Sequence, residues 1–197
     1  SIITKGGSGV KFDKIKTRAL LEMIQSDYIE EQKKYKYRVL ICAGAGCISS
    51  NCAAVRDAVT AELKKTGMQD DVKVYETGCM GTCAVGPVML ILPDRIFYTD
   101  LTEQKAKEIV RAHIKRGEVL EEYTFYDQSL QKHIPVIDDI DFFKRQVKIA
   151  LRNCGVIEYG NVAAYIANGG YFSAYQALRE MEPEAIIEEI KKSGLRG

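Results

Sequence analysis

The chain has 197 residues, 46% of them hydrophobic and 28% charged, which gives room for one ordinary domain plus a small second module and excludes a disordered polymer. Its 28 Lys and Arg against 27 Asp and Glu leave a formal net charge of +1, so the overall balance calls for neither nucleic acid nor an anionic membrane surface. The longest nearly uninterrupted apolar stretch, Val85 to Leu92, contains Gly86 and Pro87 and falls well short of the ~18–20 residues of a membrane span.

The opening Ser1-Ile-Ile-Thr-Lys-Gly-Gly has no apolar segment of the ~7–15 residues a signal peptide needs, so a cytoplasmic, reducing location is expected. With no initiating Met, residue 1 reads as a processing or cloning boundary. Lys11 to Lys34 form an expected amphipathic helix, with Ile15, Ala19 and Met23 at i, i+4, i+8 and Leu20 and Ile24 beside them. Tyr37 to Cys42 is a short run of strand formers delivering Cys42 into the glycine-containing segment Ala43 to Gly46. A helix follows, carrying Val55, Ala58, Val59 and Leu63 on one face, capped by Ser50 or Asn51 and stopped by Gly67.

Val72 to Tyr75 forms the next strand, leading into the thiol-bearing loop Thr77-Gly-Cys-Met-Gly-Thr-Cys83. Val88 to Leu92 and Ile96 to Tyr98 flank Pro93-Asp94-Arg95 as a hairpin. Asp100 and Glu103 can form a capping box for a helix with Ala106, Ile109, Val110 and Ile114, ending at Gly117. The order βαβββα suits an α/β, thioredoxin-like domain over 37–117, and also other small α/β folds.

Glu118 to Ile140 lack periodicity and read as a linker over 118–140. Residues 1–36 are then an N-terminal helix and 141–197 a small all-helical segment. Asp141 starts a helix with Phe143, Val147 and Leu151, Asn161 one with Val162, Tyr165 and Ile166, and Tyr171 to Met181 forms a third. Pro183 opens a fourth with Ile187 and Ile190 inward and Gly194 as stop.

Six cysteines are too many for chance packing and too few for a disulfide-dense scaffold. Four form two spaced pairs, Cys42-x4-Cys47 across Ala-Gly-Ala-Gly and Cys79-x3-Cys83 across Met-Gly-Thr, each following a strand. A [2Fe–2S] cluster takes one pair of thiolates per iron, and small residues between the ligands let the main chain curl around an inorganic core. Zinc is the competing metal, although x4 and x3 spacings containing Gly are looser than the usual zinc knuckle. Thiol exchange is disfavoured by the lack of a C-x-x-C.

The segments Val39-Leu-Ile-Cys-Ala-Gly-Ala-Gly-Cys47 and Val74-Tyr-Glu-Thr-Gly-Cys-Met-Gly-Thr-Cys-Ala-Val-Gly-Pro87 closely resemble the thioredoxin-like [2Fe–2S] ferredoxins. That domain also occurs as a complex I subunit and fused to NADH-binding subunits of NAD-linked hydrogenases. The resemblance implies that Cys42 and Cys47 hold one iron and Cys79 and Cys83 the other. Lys148-Ile-Ala-Leu-Arg-Asn-Cys-Gly-Val-Ile157, Gly169-Gly-Tyr171 and Pro183 to Gly197 resemble the start of the FMN- and NADH-binding flavoprotein, or beta, subunit of electron-bifurcating hydrogenases and complex I. FMN and a [4Fe–4S] cluster are therefore expected only in the full-length family member. By that resemblance the sequence stops at Gly197 before the flavin loop, as a truncated part that by itself does not turn over NADH. Glu182 stands where that family usually has a Thr cap.

The implied function is single-electron transfer, with partner subunits carrying flavin or iron–sulfur centres, no catalytic residue here, no nucleic acid and no membrane span. The alternatives are a zinc-bound or metal-free interaction module docking a partner subunit, and a small thiol enzyme. Cys52 departs from the four-cysteine pattern and reads as a plain thiol or a stand-in ligand, and Cys154 as a packed residue. His113 and His133 read as surface side chains, Lys144, Arg145, Lys148 and Arg152 as a solvated face, and Tyr123, Tyr126, Tyr165, Tyr171 and Tyr175 as packing contacts.

Overall fold

The computed structural model describes residues 4–6, 9–11 and 16–196. They fall into two compact units, 31–161 and 1–30 together with 162–197.

The larger unit is built on a four-stranded sheet of β3 (Tyr37–Cys42), β4 (Val72–Thr77), β5 (Met89–Leu92) and β6 (Ile96–Tyr98) in the order β4-β3-β5-β6. β3 and β4 are parallel, with Cys42 opposite Thr77. β5 lies antiparallel to β3, and β6 to β5. Parallel neighbours need a crossover, and α3 (Cys52–Thr66) supplies it. It buries Val55, Ala58, Val59 and Leu63 and ends at Gly67, whose φ of 72° lets its N–H close on the carbonyls of Leu63 and Lys64. At the start of α3, Asn51 takes a left-handed conformation and caps without a side-chain hydrogen bond.

α4 (Glu103–Ile109) packs against α3 and continues as a π-helical turn, Val110–Ile114. Ala106, Ile109, Val110 and Ile114 are all buried. The cap is Thr102, whose hydroxyl accepts from the Lys105 N–H at 3.2 Å. The expected box from Asp100 is replaced because Asp100 turns left-handed, with φ of 49°, two residues before the cap Thr102.

Residues 118–140 are not a bare tether. They form the hairpin of β7 (Phe125–Asp127) and β8 (Lys132–Ile134), and they bury Ile134, Ile137 and Ile140 in the sheet's core. Their backbone bonds to β6: Phe97 N–H donates to Pro135 at 2.8 Å, Thr99 N–H to Tyr123 at 2.9 Å, and Ile137 N–H to Arg95 at 3.0 Å. A strap that covers an edge strand needs neither period of hydrophobicity, which is why the sequence reads as featureless there.

The helix expected from Asp141 stops after one turn, α5 (Asp141–Lys144). Phe143 meets Phe97 edge-to-face at 5.4 Å, while Val147 and Leu151 are exposed, Val147 at 89%. The chain then turns back to β4, with Gly155 N–H donating to Thr77 Oγ1 at 3.0 Å and Tyr159 N–H to Glu76 O at 2.8 Å. These contacts keep residues 141–161 with the sheet rather than with the later helices.

The smaller unit holds the antiparallel pair β1 (Thr4–Gly6) and β2 (Gly9–Lys11), most of α1 (Arg18–Gln32), and α6 (Val162–Ala167), α7 (Phe172–Arg179) and α8 (Pro183–Ser193). Its small core is Leu21, Ile24 and Ile166, with Phe172 and Tyr175 packed on it. Gln25 also donates to the Ala167 carbonyl at 3.1 Å. The inward stripe of α1 is therefore rotated from the expected one: Ala19 and Met23 are exposed, and Ile15 lies outside the described residues. On α8, Ile187 and Ile190 are half exposed rather than inward, while Pro183 at the first turn and Gly194 in left-handed conformation bound the helix as expected. Among the described residues no helix is long and apolar enough to cross a membrane.

Candidate metal centre

Because β3 and β4 run parallel, the loops at their C-terminal ends leave the sheet side by side. The first loop turns at once into a short helix, α2 (Ala45–Ser49), which carries Cys47. The second carries Cys79 and ends in a single 3₁₀ turn, Cys83–Val85. Backbone bonds clamp both: Cys42 N–H donates to Val88 O at 3.2 Å and Ala43 N–H to Thr77 O at 2.9 Å.

The loops approach each other where glycine leaves room. A Cβ on Gly44 would come within 2.8 Å of both Cβ and Sγ of Cys79. One on Gly46 would come within 2.9 Å of Cys83 Cβ, and one on Gly86 within 3.1 Å of Cys47 Sγ. The structure thus brings together all four of the sequence-predicted thiols, Cys42, Cys47, Cys79 and Cys83. None of the six cysteines is in a disulfide.

Within each spaced pair the thiols act on one another. Burial, then the hydrogen bond and charge of Cys42, push the Cys47 thiol up to about 12. The hydrogen bond from Cys79 does most to raise the Cys83 thiol, which the Gly46 amide partly counters. Cys42 and Cys47 are buried, Cys79 is half-buried and Cys83 exposed. Among the described residues no three His, Cys, Asp or Glu side chains are grouped to hold a single ion.

This donor set fits a binuclear iron–sulfur group. It offers two thiol pairs, one per iron, and a glycine-lined approach that a Cβ would fill. It also holds one hydroxyl, Thr82 Oγ1, that is buried and has no hydrogen-bond partner. Thr82 was not legible as a site residue, because its signal is an unsatisfied atom and not a residue type.

The family model described as thioredoxin-like [2Fe-2S] ferredoxin matches residues 25–114. Residues 25–114 therefore resemble such a domain in sequence, and their mixed α/β fold agrees with a thioredoxin-like one. A [2Fe-2S] ferredoxin of Clostridium pasteurianum is 29% identical to the chain over 93 residues, which is 43% of this chain and 91% of that protein. The NADP-reducing hydrogenase subunit HndC of Solidesulfovibrio fructosivorans is 43% identical over 54 residues, 27% of this chain but 11% of that protein. Among solved structures, a thioredoxin-like [2Fe-2S] ferredoxin from Aquifex aeolicus aligns at 24% identity with a TM-score of 0.43, covering 45% of this chain and 89% of that one.

Of the other residues singled out in the sequence, Cys52 and Cys154 sit as packed thiols as expected, whereas the two histidines do not lie on the surface. Cys52 is buried at the start of α3, its thiol raised by burial and by the nearby Glu76 charge. Cys154 lies against the loop that carries Cys79: a Cβ on Gly78 would meet its Sγ at 2.7 Å. His113 is not a surface residue but 1% exposed, its Nδ1 3.0 Å from Tyr98 Oη and its Nε2 3.0 Å from Asp94 Oδ2. The π-helical turn rotates it inward from the charged face that the sequence implies. His133 is half-buried, with Nδ1 3.1 Å from the Thr124 carbonyl.

Proposed function

We propose that Cys42 and Cys47 hold one iron and Cys79 and Cys83 the other of a [2Fe–2S] cluster, through which the chain passes single electrons. We place it in the cytoplasm, within an NADH-linked oxidoreductase of the electron-bifurcating hydrogenase or complex I-like kind. The meeting of two thiol pairs across a glycine-lined gap carries this reading. Its partners would be other subunits of that complex bearing flavin or iron–sulfur centres, a context supported by the local similarity to a hydrogenase subunit. FMN and a [4Fe–4S] cluster belong, on this reading, to the full-length family member.

When bound, such a cluster accepts and returns one electron without breaking a substrate bond. The chain's own residues set the conditions. Gly44, Gly46 and Gly86 let the loops close on the thiols. Burial favours the neutral form of the Cys47 thiol, whereas a thiol that holds a metal must be deprotonated. The exposed Cys83 marks the side open to a partner, whereas Cys42 and Cys47 face the core.

Anaerobic purification tests the assignment. The expected product is coloured, with iron and acid-labile sulfide each near ~2 per chain and a paramagnetic signal on reduction. Cys42→Ser and Cys79→Ser should each lose it. A colourless protein with one zinc would instead establish the interaction module, and thiol-dependent turnover that survives Cys42→Ser would establish a thiol enzyme.

A further inference from the structure

The loop between Cys79 and Cys83 is exposed at Gly81 and Cys83, yet the Thr82 hydroxyl between them is shut off from solvent and bonded to nothing. It does not cap the 3₁₀ turn that follows, whose first residue is Cys83. The backbone carbonyl of Thr82 is satisfied by the Val85 N–H at 3.2 Å, so the unpaired atom belongs to the side chain alone. Buried hydroxyls are rarely left unsatisfied, because the bond to water lost on burial is then not replaced. A threonine here therefore needs an acceptor, and the chemistry concentrated at this loop is sulfur.

We propose that Thr82 Oγ1 donates its hydrogen to a sulfur of the bound cluster, either a bridging sulfide or the thiolate of Cys79 or Cys83, and thereby sets the reduction potential. The inference rests on the ligand set proposed above. Reduction adds one electron and no proton, so the sulfurs become more negative and a hydrogen bond to them strengthens. The hydroxyl thus stabilises the reduced form more than the oxidised one and raises the potential.

The test compares wild type, Thr82→Val, which keeps the shape and loses the hydroxyl, and Thr82→Ser, which keeps it. Iron, sulfide and visible absorption are measured first. If the wild-type protein binds no cluster, the ligand assignment falls and this inference falls with it. With clusters present in all three, spectroelectrochemical titration should show T82V more negative by about tenfold in the one-electron equilibrium constant, or 59 mV for n = 1, and T82S close to wild type. Electron–nuclear double resonance of the reduced protein should lose one exchangeable proton coupling in T82V only. An unchanged midpoint and an unchanged proton coupling in a cluster-loaded T82V would overturn the role of Thr82 while leaving the four ligands standing.

Discussion

Gly44→Ala separates the fit of the two loops from the stability of the fold. Gly44 has φ −68° and ψ 157°, an extended conformation open to alanine, so the backbone resists nothing. Replacing glycine there even removes freedom from the unfolded chain, which favours folding by about 0.4–1 kcal/mol. The new methyl would instead stand 2.8 Å from Cys79 Cβ and Sγ, against ordinary contacts of about 3.5–4.0 Å. Relieving it pushes the Cys79 loop away from the Cys42 loop, an overpacking cost of about 1–3 kcal/mol. In the free protein the loops can part, so most of that cost falls on holding both pairs around one cluster, a weakening of about tenfold to a hundredfold.

Gly67→Ala is the matched control. Nothing lies within 4 Å of its added Cβ, but its φ is +72°, so it loses about 1–2 kcal/mol of fold stability and leaves the site intact. The assay pairs the urea midpoint with the rate at which a chelator bleaches visible absorption under anaerobic conditions. G44A should bleach faster at a near-normal midpoint, and G67A should bleach normally at a lowered one. A G44A protein that bleaches at the wild-type rate would refute the argument from the glycine-lined gap.

Three further measurements follow from the packing. Glu62 is buried and accepts from Arg111 Nε at 2.7 Å, which holds its carboxyl below the usual range despite burial. It thus adds stability above the unfolded-state pKa of about 4.3 that is lost as pH falls through the lower folded value. Arg111→Met should lower stability at pH 7 by leaving the buried Glu62 carboxylate without its partner, and urea titrations should show the deficit shrinking below about pH 4. Tyr98→Phe should cost about 1–3 kcal/mol: with His113 Nε2 donating to Asp94, Nδ1 is the acceptor of the Tyr98 hydroxyl, and a double-mutant cycle with His113→Leu should give a coupling well above zero. Ile166→Ala should remove about 2–4 kcal/mol from the smaller unit, lowering its helical circular dichroism midpoint, because among the described residues its buried core is the trio Leu21, Ile24 and Ile166.

The sheet and the four thiols were legible because both signals are local: strand formers running into glycine-bearing loops, and cysteines in two spaced pairs. What escaped was decided by distant partners. The helix α2 is a single turn with no apolar period, and the strap 118–140 follows the edge of β6 through backbone bonds that side chains do not announce. Val147 and Leu151 keep a helical spacing without a surface to cover them. His113 sits in a sequence of charges, and only the π-helical turn carries it inward to Tyr98. The grouping of α1 with α6 and α7 depends on Leu21 and Ile24 meeting Ile166, more than a hundred residues away.

The register that sets Cys42 beside Thr77 has a consequence for how the protein matures. Donors from two separate stretches become neighbours only after α3 has crossed over and β4 has docked, so on the proposed ligand set any grip on iron would be a product of tertiary closure and not of either loop. On that reading loading and folding would share one equilibrium: whatever occupied the site would stabilise the crossover, and a chelator would act on the chain as a mild denaturant.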